Sequence, residues 1–470
     1  MNKMIKIFTM ALAVICVSCS DWLDVQPSDR IAEDNNFSNL AGFKKALNGI
    51  YIELNQRDLY GSTLSCKFIE ILAQRYAVGE ENKANKEIMA FQYGGATAKG
   101  KLTSIWRTAY SLIANVNLLL KNCETHRDAL SDEYYHLIKG EALALRAFLQ
   151  FDLFRLFGPV YGIPSSGNEV PYYTEFSFDV APKVSSEEYV KLVIQDLLSA
   201  EGELKDDPII EYGVEGNDKD TFLQYRNLRL NYYAVQALLA RVYWYIGDTE
   251  NANAYANKVI AIQEEKFPWI TPAKLTNTGS PDRVFSSEVL FSLQNLERNN
   301  LFTDYFDGQN LKIQTLLAPR EDVLDYVFEN DKTDYRYVGT LNNSIELSGV
   351  VYHIFNKYQG TDSLYNQMIP LLRVSEAYMI AAETGSDEEE QLNNLNTLLN
   401  HRGLRSVDYY DYYYLENEWK KEFYGEGQLF FWYKRNNAGE MQSATDPYGT
   451  VSVRPENYVM PIPDGETQYN

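Results

Sequence analysis

The segment NYYAVQALLARVYWYIGDTENANAYANKVIAI, residues 231–262, restricts this chain to a narrow set of folds. Ala237, Ala240 and Tyr243–Tyr245 carry a helical pattern up to Gly247, and Asp248 follows at once as a residue suited to cap the next helix. Ala252, Tyr255, Ala256 and Val259 then recur at helical spacing. A glycine followed directly by a capping residue leaves a very short corner, so the two helices must run antiparallel. The segment EYYHLIKGEALALRAFLQFDLFRLFGPV, residues 133–160, has Ile138, Ala142 and Leu145 on one face and Ala144, Phe148 and Phe151 on another. A helix apolar on more than one face packs between neighbours, and Gly158-Pro159 ends this one. A third pair reads PLLRVSEAYMIAAETGSDEEEQLNNLNTLLNHRG, with Gly385 closing one helix and Ser386 and Glu389 forming a capping box for the next. Ser185 with Glu188 opens the helix YVKLVIQDLLSAE in the same way.

Repeated helix hairpins with small residues at their crossings are similar to tetratricopeptide repeats, most closely over residues 240–256. Between them lie Pro-, Gly- and Asn-rich stretches at 157–184, 205–227 and 266–345, with short strands expected at EVLFSLQN (288–295) and GVVYHIFNKY (349–358). The expected fold is mostly α: tetratricopeptide-like hairpins forming a scaffold that carries long loops and a few short strands.

The first residues are a separate element. Lys3 and Lys6 precede an almost unbroken apolar run from Ile7 to Val17, long enough for a signal-peptide core and too short to span a bilayer. Small Ser18 then precedes Cys19, the pattern of a lipoprotein signal in which the Cys19 thiol is lipidated and becomes the new amino terminus. Cys16, preceded by bulky Ile15, is the poorer acceptor, and an ordinary cleaved signal with an incidental cysteine is the alternative. Several acyl chains at about 0.8 kcal/mol per buried methylene would hold a soluble body on a membrane.

The net charge is −22, and removing residues 1–18 takes away only Lys3 and Lys6, lowering it by two to −24. Such a chain is repelled by nucleic acid and by anionic head groups. Beyond the leader only Cys66 and Cys123 remain, neither a disulfide framework nor a zinc spacing, and both are expected as buried thiols or as one bridge. The four histidines are scattered, so no metal or cofactor is expected.

Six separated segments, in order, resemble the SusD/RagB outer-membrane lipoproteins. They are CSDWLDVQP from Cys19; EALALRAFLQFDLFRLFGPV with Arg146, Asp152, Arg155 and Gly158; ALLARVYWYIGD; IPLLRVSEAYMIAAE with LNTLLNHRG; EFYGEGQLFFWYKRNN with Glu422, Gly425, Glu426, Gly427 and Arg435; and PIPDGETQYN. The resemblance implies a lipid-anchored protein on the outer face of the outer membrane. Such a protein docks on a SusC-type TonB-dependent transporter and captures oligosaccharide or polysaccharide, in some members peptide. It also implies a partition into leader 1–18, an N-terminal part 19–230 and a C-terminal part 231–470, packed as one unit. The named motif residues are structural in the family, and no binding residue carries over.

A glycan site needs flat aromatics beside fixed polar groups. Of the 6 Trp, 36 Tyr and 22 Phe, those at helical spacing (Trp106, Trp244, Trp419, Trp432) belong to packing. The candidates for ligand contact are Trp269 in FPWITP, Tyr305 in DYFDGQN, and Arg75-Tyr76 after a predicted helix. The run DYYDYYY at 408–414 is expected as a helix start wedged against the preceding hairpin. Two other classes stay open: a repeat scaffold that binds only proteins, and a surface glycosidase with two facing carboxylates. With no nucleophile elbow, phosphate loop or dinucleotide fingerprint, binding without chemistry is the expectation.

Overall fold

A computed structural model of the chain describes residues 36–467 apart from 164–168, 178, 217–219 and 362; the leader and Cys19 lie outside the described residues. The main helices are α1 Leu40–Leu54, α2 Ala96–Thr125, α3 Asp132–Phe157, α4 Ser186–Glu203, α5 Tyr232–Ile246, α6 Thr249–Ala261, α7 Val374–Thr384, α8 Glu388–Asn400, α9 Tyr412–Glu422 and α10 Leu429–Arg435. From α2 to α8 each helix packs on the next, so α6 meets α7 although more than a hundred residues separate them in sequence. The helical stack is thus continuous, and the intervening chain is an excursion from it.

The predicted corners are present. Gly247 adopts φ 81°, and Asp248 accepts the Asn251 backbone N–H to start α6. Ser185 caps α4 by accepting from Glu188 N. At α8 the cap falls one residue later than expected: Asp387 accepts Glu390 N, while Ser386 donates its N–H and hydroxyl to the Glu390 carboxylate at 2.7 and 2.8 Å. α3 is buried over most of its circumference. Its buried polar residues are matched: Arg146 grips Asp196 with two 2.6 Å bonds, and Glu141 accepts from Arg226 at 2.6 Å.

The strands are short and pair antiparallel in twos: β1 Ala77–Val78 with β5 Leu317–Ala318, β2 Val170–Pro171 with β3 Lys183–Val184, β4 Val289–Gln294 with β8 Met368–Arg373, β6 Asn343–Leu347 with β7 Val350–Ile354, and β9 Glu440–Gln442 with β10 Thr450–Ser452. β4 and β7 are the two strands expected from sequence. β8 is a correction, because PLLR, residues 370–373, reads as the start of the third hairpin's first helix. Pro370 disfavours a helix there, and every residue of the strand is buried against β4, so pairing wins over helical spacing.

One apolar core extends from Phe37 to Met460. Trp244 and Trp419 stack at 4.8 Å within it, and Trp432 continues the stack. The carboxy-terminal segment is sewn back onto early helices: Met460 N donates to Leu156 O at 3.1 Å and the Tyr93 hydroxyl to Asn457 O at 2.6 Å. Cys66 and Cys123 are separate, free and buried, and burial pushes each thiol up to about 12.

The core also holds an ion cluster. Arg336, Lys357, Arg373, Arg402 and Lys421 interleave with Glu288, Asp334, Glu418, Glu422 and Glu426, all of them buried. Glu422 is its centre, accepting from Arg402 at 2.6 and 2.8 Å, from Arg373 at 2.6 Å and from Arg336 at 3.0 Å. Five cations against five carboxylates leave no net charge to bury. Burial works to raise the Glu422 carboxyl, but Arg402 and Arg373 hold it well below its ordinary 4.5. A depressed folded value means that this stability is present above the unfolded value of about 4.3 and is lost as pH falls through and below it. Glu422→Gln is expected to cost about 3–5 kcal/mol at neutral pH. The variant's stability should also fall less steeply than the wild type's on acidification, which denaturant unfolding across a pH series reads out.

Candidate binding cleft

Convergent polar side chains line an open cleft of about 700 Å³. One wall is residues 74–92, and the other is the β9–β10 hairpin, represented by Ser443, Thr445 and Val451. The first wall is held by backbone geometry. β1 pairs with β5, and the ladder continues through Gly79 N to Leu316 O at 3.0 Å and Glu81 N to Gln314 O at 2.9 Å. A side chain at Gly79 would meet the Gln314 carbonyl at 2.5 Å, so the two strands approach this closely only with glycine there. Gln74 sits in the left-handed region at φ 58° and ties the base together by donating from its amide to Met89 O at 2.8 Å. Lys86 and Glu80 pair at 2.5 Å on the rim.

The floor rests on the α9–α10 turn. The Glu70 carboxylate accepts Gly425 N at 3.0 Å and Gly427 N at 2.8 Å, and burial raises its pKa despite nearby Arg75. Arg75 donates to Lys420 O and lies 4.3 Å over the Tyr424 ring, whose hydroxyl donates to Arg75 O at 2.5 Å.

The hairpin wall is equally constrained. Ser443 Oγ accepts both Thr445 N and Asp446 N at 3.2 Å, and Gln442 donates to Asp446 O and Pro447 O at 3.1 Å. Arg320, paired with Asp322, donates to Thr445 O at 2.6 Å and fastens the loop to the chain after β5. At the loop's tip Tyr448 is 87% exposed and meets half-exposed Tyr326 edge to face at 5.7 Å. A large ring left in water on a rigid turn, beside a polar cleft, has the geometry of a stacking surface.

The sequence candidates fall elsewhere. Tyr76 is fully buried, its hydroxyl donating to Cys66 O at 3.0 Å, and Arg75 lies beneath the cleft floor. Trp269 is half-buried, stacked on His401 at 4.7 Å and against Tyr378 at 5.0 Å, with Arg402 over its ring. Tyr305 is half-buried under Lys67, 4.0 Å from its ring centre. In the 408–414 run, Asp411 does start α9, and Tyr410 and Tyr414 pack against the core. Tyr409 and Tyr413 are more than half exposed, so the expected wedge is only partial. Sequence reading passed over Tyr448, although Asp446-Pro447-Tyr448-Gly449 is a turn signature with an aromatic at its apex. Tyr326 carries no such signal, since it occupies an ordinary helical position. Among the described residues there is no cluster suited to a metal ion, and no helix is long and apolar enough to cross a membrane.

Comparison with known proteins places this architecture. The chain has the SusD-like helical fold: a SusD superfamily protein from Bacteroides thetaiotaomicron superimposes with a TM-score of 0.72 at 23% identity, covering 92% of this chain and 98% of that one. A laminarin-binding SusD-like protein does so with a TM-score of 0.64 at 17% identity, over 92% and 97%. Residues 21–208 match the SusD-like family described as starch-binding and associating with the outer membrane. SusD-like protein P2 of Formosa agariphila is 25% identical over 206 residues, which span 43% of this chain and 39% of that relative's length. The fold is thus that of the SusD-like proteins, and residues 21–208 carry the sequence likeness to that family.

Arg320→Ala should release the hairpin without unfolding the protein. Faster amide exchange confined to 443–449, with global stability lowered by no more than about 1 kcal/mol, is the expected result of hydrogen-exchange mass spectrometry and urea unfolding.

Proposed function

We propose that the chain is a cell-surface lipoprotein that captures nutrient oligosaccharide or polysaccharide and passes it to a SusC-type TonB-dependent transporter in the outer membrane. The observation that carries this reading is Tyr448, 87% exposed at the tip of the preorganised hairpin whose Ser443, Thr445 and Val451 line a polar cleft. A sugar ring has one apolar face that stacks on such a ring and hydroxyls that seek amides, hydroxyls and paired charges, which Gln74, Gln92, Ser443, Thr445 and the Lys86–Glu80 pair supply. The family description and the laminarin-binding structural relative favour glycan over peptide. Tyr305, with Lys67 over its ring, is the sequence candidate best placed to extend the contact surface. Arg75 and Tyr76 are buried next to Gln74 of the cleft wall, and Trp269 packs apart from it against His401 and Tyr378.

Capture involves no bond-making step. Lipid on Cys19 keeps the body beside the transporter mouth at high effective concentration, and energy for import comes from the transporter.

Two measurements test this. Titration calorimetry of the soluble form beginning at Ser20 against laminarin, starch and other polysaccharides, and peptide mixtures should give a saturable signal for one glycan class. Tyr448→Ala should weaken that signal about tenfold, equivalent to about 1.4 kcal/mol, with unchanged melting. A signal for peptides alone transfers the cleft to peptide capture, and a shortened glycan after incubation would make the protein a glycosidase. Separately, Cys19→Ala should move the protein from the membrane to the soluble fraction in cells lacking the transporter; full retention would remove the anchor.

A further inference from the structure

A second concavity, sharing no residue with the cleft, lies where α1, the segment 221–229 and the end of β4 meet. Its volume is about 340 Å³, at the small end of ligand pockets. Tyr225 at its mouth has φ 48° and ψ 52°, a conformation that bulky residues avoid and glycine adopts freely. Its ring is nonetheless 45% exposed, so the strain is not offset by burial of the side chain. The backbone is forced there from the next residue: Arg226 is buried and locked by Asp207 at 3.0 and 2.8 Å and by Glu141 at 2.6 Å. A strained, exposed aromatic beside a pocket is an outlier of the kind that marks function rather than folding.

The pocket's polar groups define what it accepts. The Arg229 guanidinium lies over the Phe222 ring at 4.1 Å, donates to Glu141 at 3.1 Å, and also donates to Asn48. Its charge is therefore already balanced, and the site has no surplus cation to attract an anion. Asn55 donates to Gln294 O at 3.0 Å and Tyr51 O at 3.3 Å, yet its own Oδ1, though buried, has no hydrogen-bond partner. Gln294 is exposed, its amide nitrogen donating to Gln367 Oε1 at 3.0 Å, and Ile52 presents a 70% exposed apolar wall. An aromatic face, an apolar edge, neutral amides and an unmet acceptor fit an uncharged polyhydroxylated ring.

We propose that this pocket is a second carbohydrate-binding site, taking one neutral sugar ring stacked on Tyr225, with its hydroxyls donating to the side-chain oxygens of Asn55 and Gln294. A polysaccharide occupying both sites gains affinity with chain length through effective concentration alone.

The test is saturation-transfer NMR on the soluble form beginning at Ser20, with the methyl glycosides of glucose, galactose, mannose, xylose and N-acetylglucosamine as probes. At least one glycoside should show transfer in the wild type, keep it in Tyr448→Ala, and lose it in Tyr225→Gly. Glycine relieves the left-handed strain, so the Tyr225→Gly melting temperature should be equal or higher, whereas a purely structural ring would lower it. Gln294→Ala, on an exposed residue, should weaken the signal several-fold as a second check. No transfer from any of the five, or transfer unchanged by Tyr225→Gly, overturns the second site. Transfer lost only in Tyr448→Ala does the same while leaving the cleft intact.

Discussion

Everything in the carboxy-terminal half is arranged around one carboxylate, Glu422. It accepts from Arg402, Arg373 and Arg336, which belong to three separate stretches of chain: the end of the α8 hairpin, the last residue of β8, and the short helix Tyr335–Thr340 in the long excursion. Those three would otherwise have little reason to meet. Buried ion pairs contribute modestly to net stability because desolvation offsets most of the attraction. What they do supply is registry, since a guanidinium in the core tolerates only the placement that satisfies all its donors. The cluster selects one arrangement of loops over many others of similar hydrophobic burial.

That registry reaches the cleft. Glu426 and Gly427 lie four and five residues after Glu422, and the same turn offers its Gly425 and Gly427 amides to Glu70, whose helix leads into the first cleft wall. A side chain at Gly427 would lie 2.3 Å from the Leu64 carbonyl, so this turn sits flush against the chain preceding that helix. The binding surface itself is made of loops, yet each loop is tied within a few bonds to the ion cluster or to the helical stack. Loops so fastened present side chains at low entropic cost, which is what recognition of a weakly interacting polar ligand requires.

The legible part of the fold was its helical stack. Gly247-Asp248 and Ser185 are local signals, read from neighbouring residues, and the structure carries them out as caps and corners. β8 was misread because Pro370 was outweighed by the helical spacing that begins only at Val374, and because the strand's justification, its partner β4, lies some eighty residues earlier. The same distinction governs the site. Trp269 and Tyr305 stood out through local turn chemistry, but whether a ring faces solvent depends on what folds over it, and His401 and Lys67 come from distant sequence. Arg75 and Tyr76 follow a helix as expected, yet the α9–α10 turn covers them. Tyr448 was readable in principle, since a Pro-Tyr-Gly apex is exposed by its own geometry. Motif residues such as Arg146, Asp152 and Glu422 proved to be interior ties, in keeping with their structural role in the family.

The return of residues 457–460 onto α3 and Tyr93 bears on how the molecule reaches its folded state. α3 is buried on nearly all sides, and part of its cover is chain that follows it by some three hundred residues. Contacts of such separation are slow to form and cannot form at all while the carboxy terminus is still absent. A chain still lacking residues 457–460 therefore leaves the carboxy-terminal end of α3 uncovered and more open to proteolysis and association. The arrival of residues 457–460, rather than completion of any one helix pair, is the event that closes the cover over the end of α3.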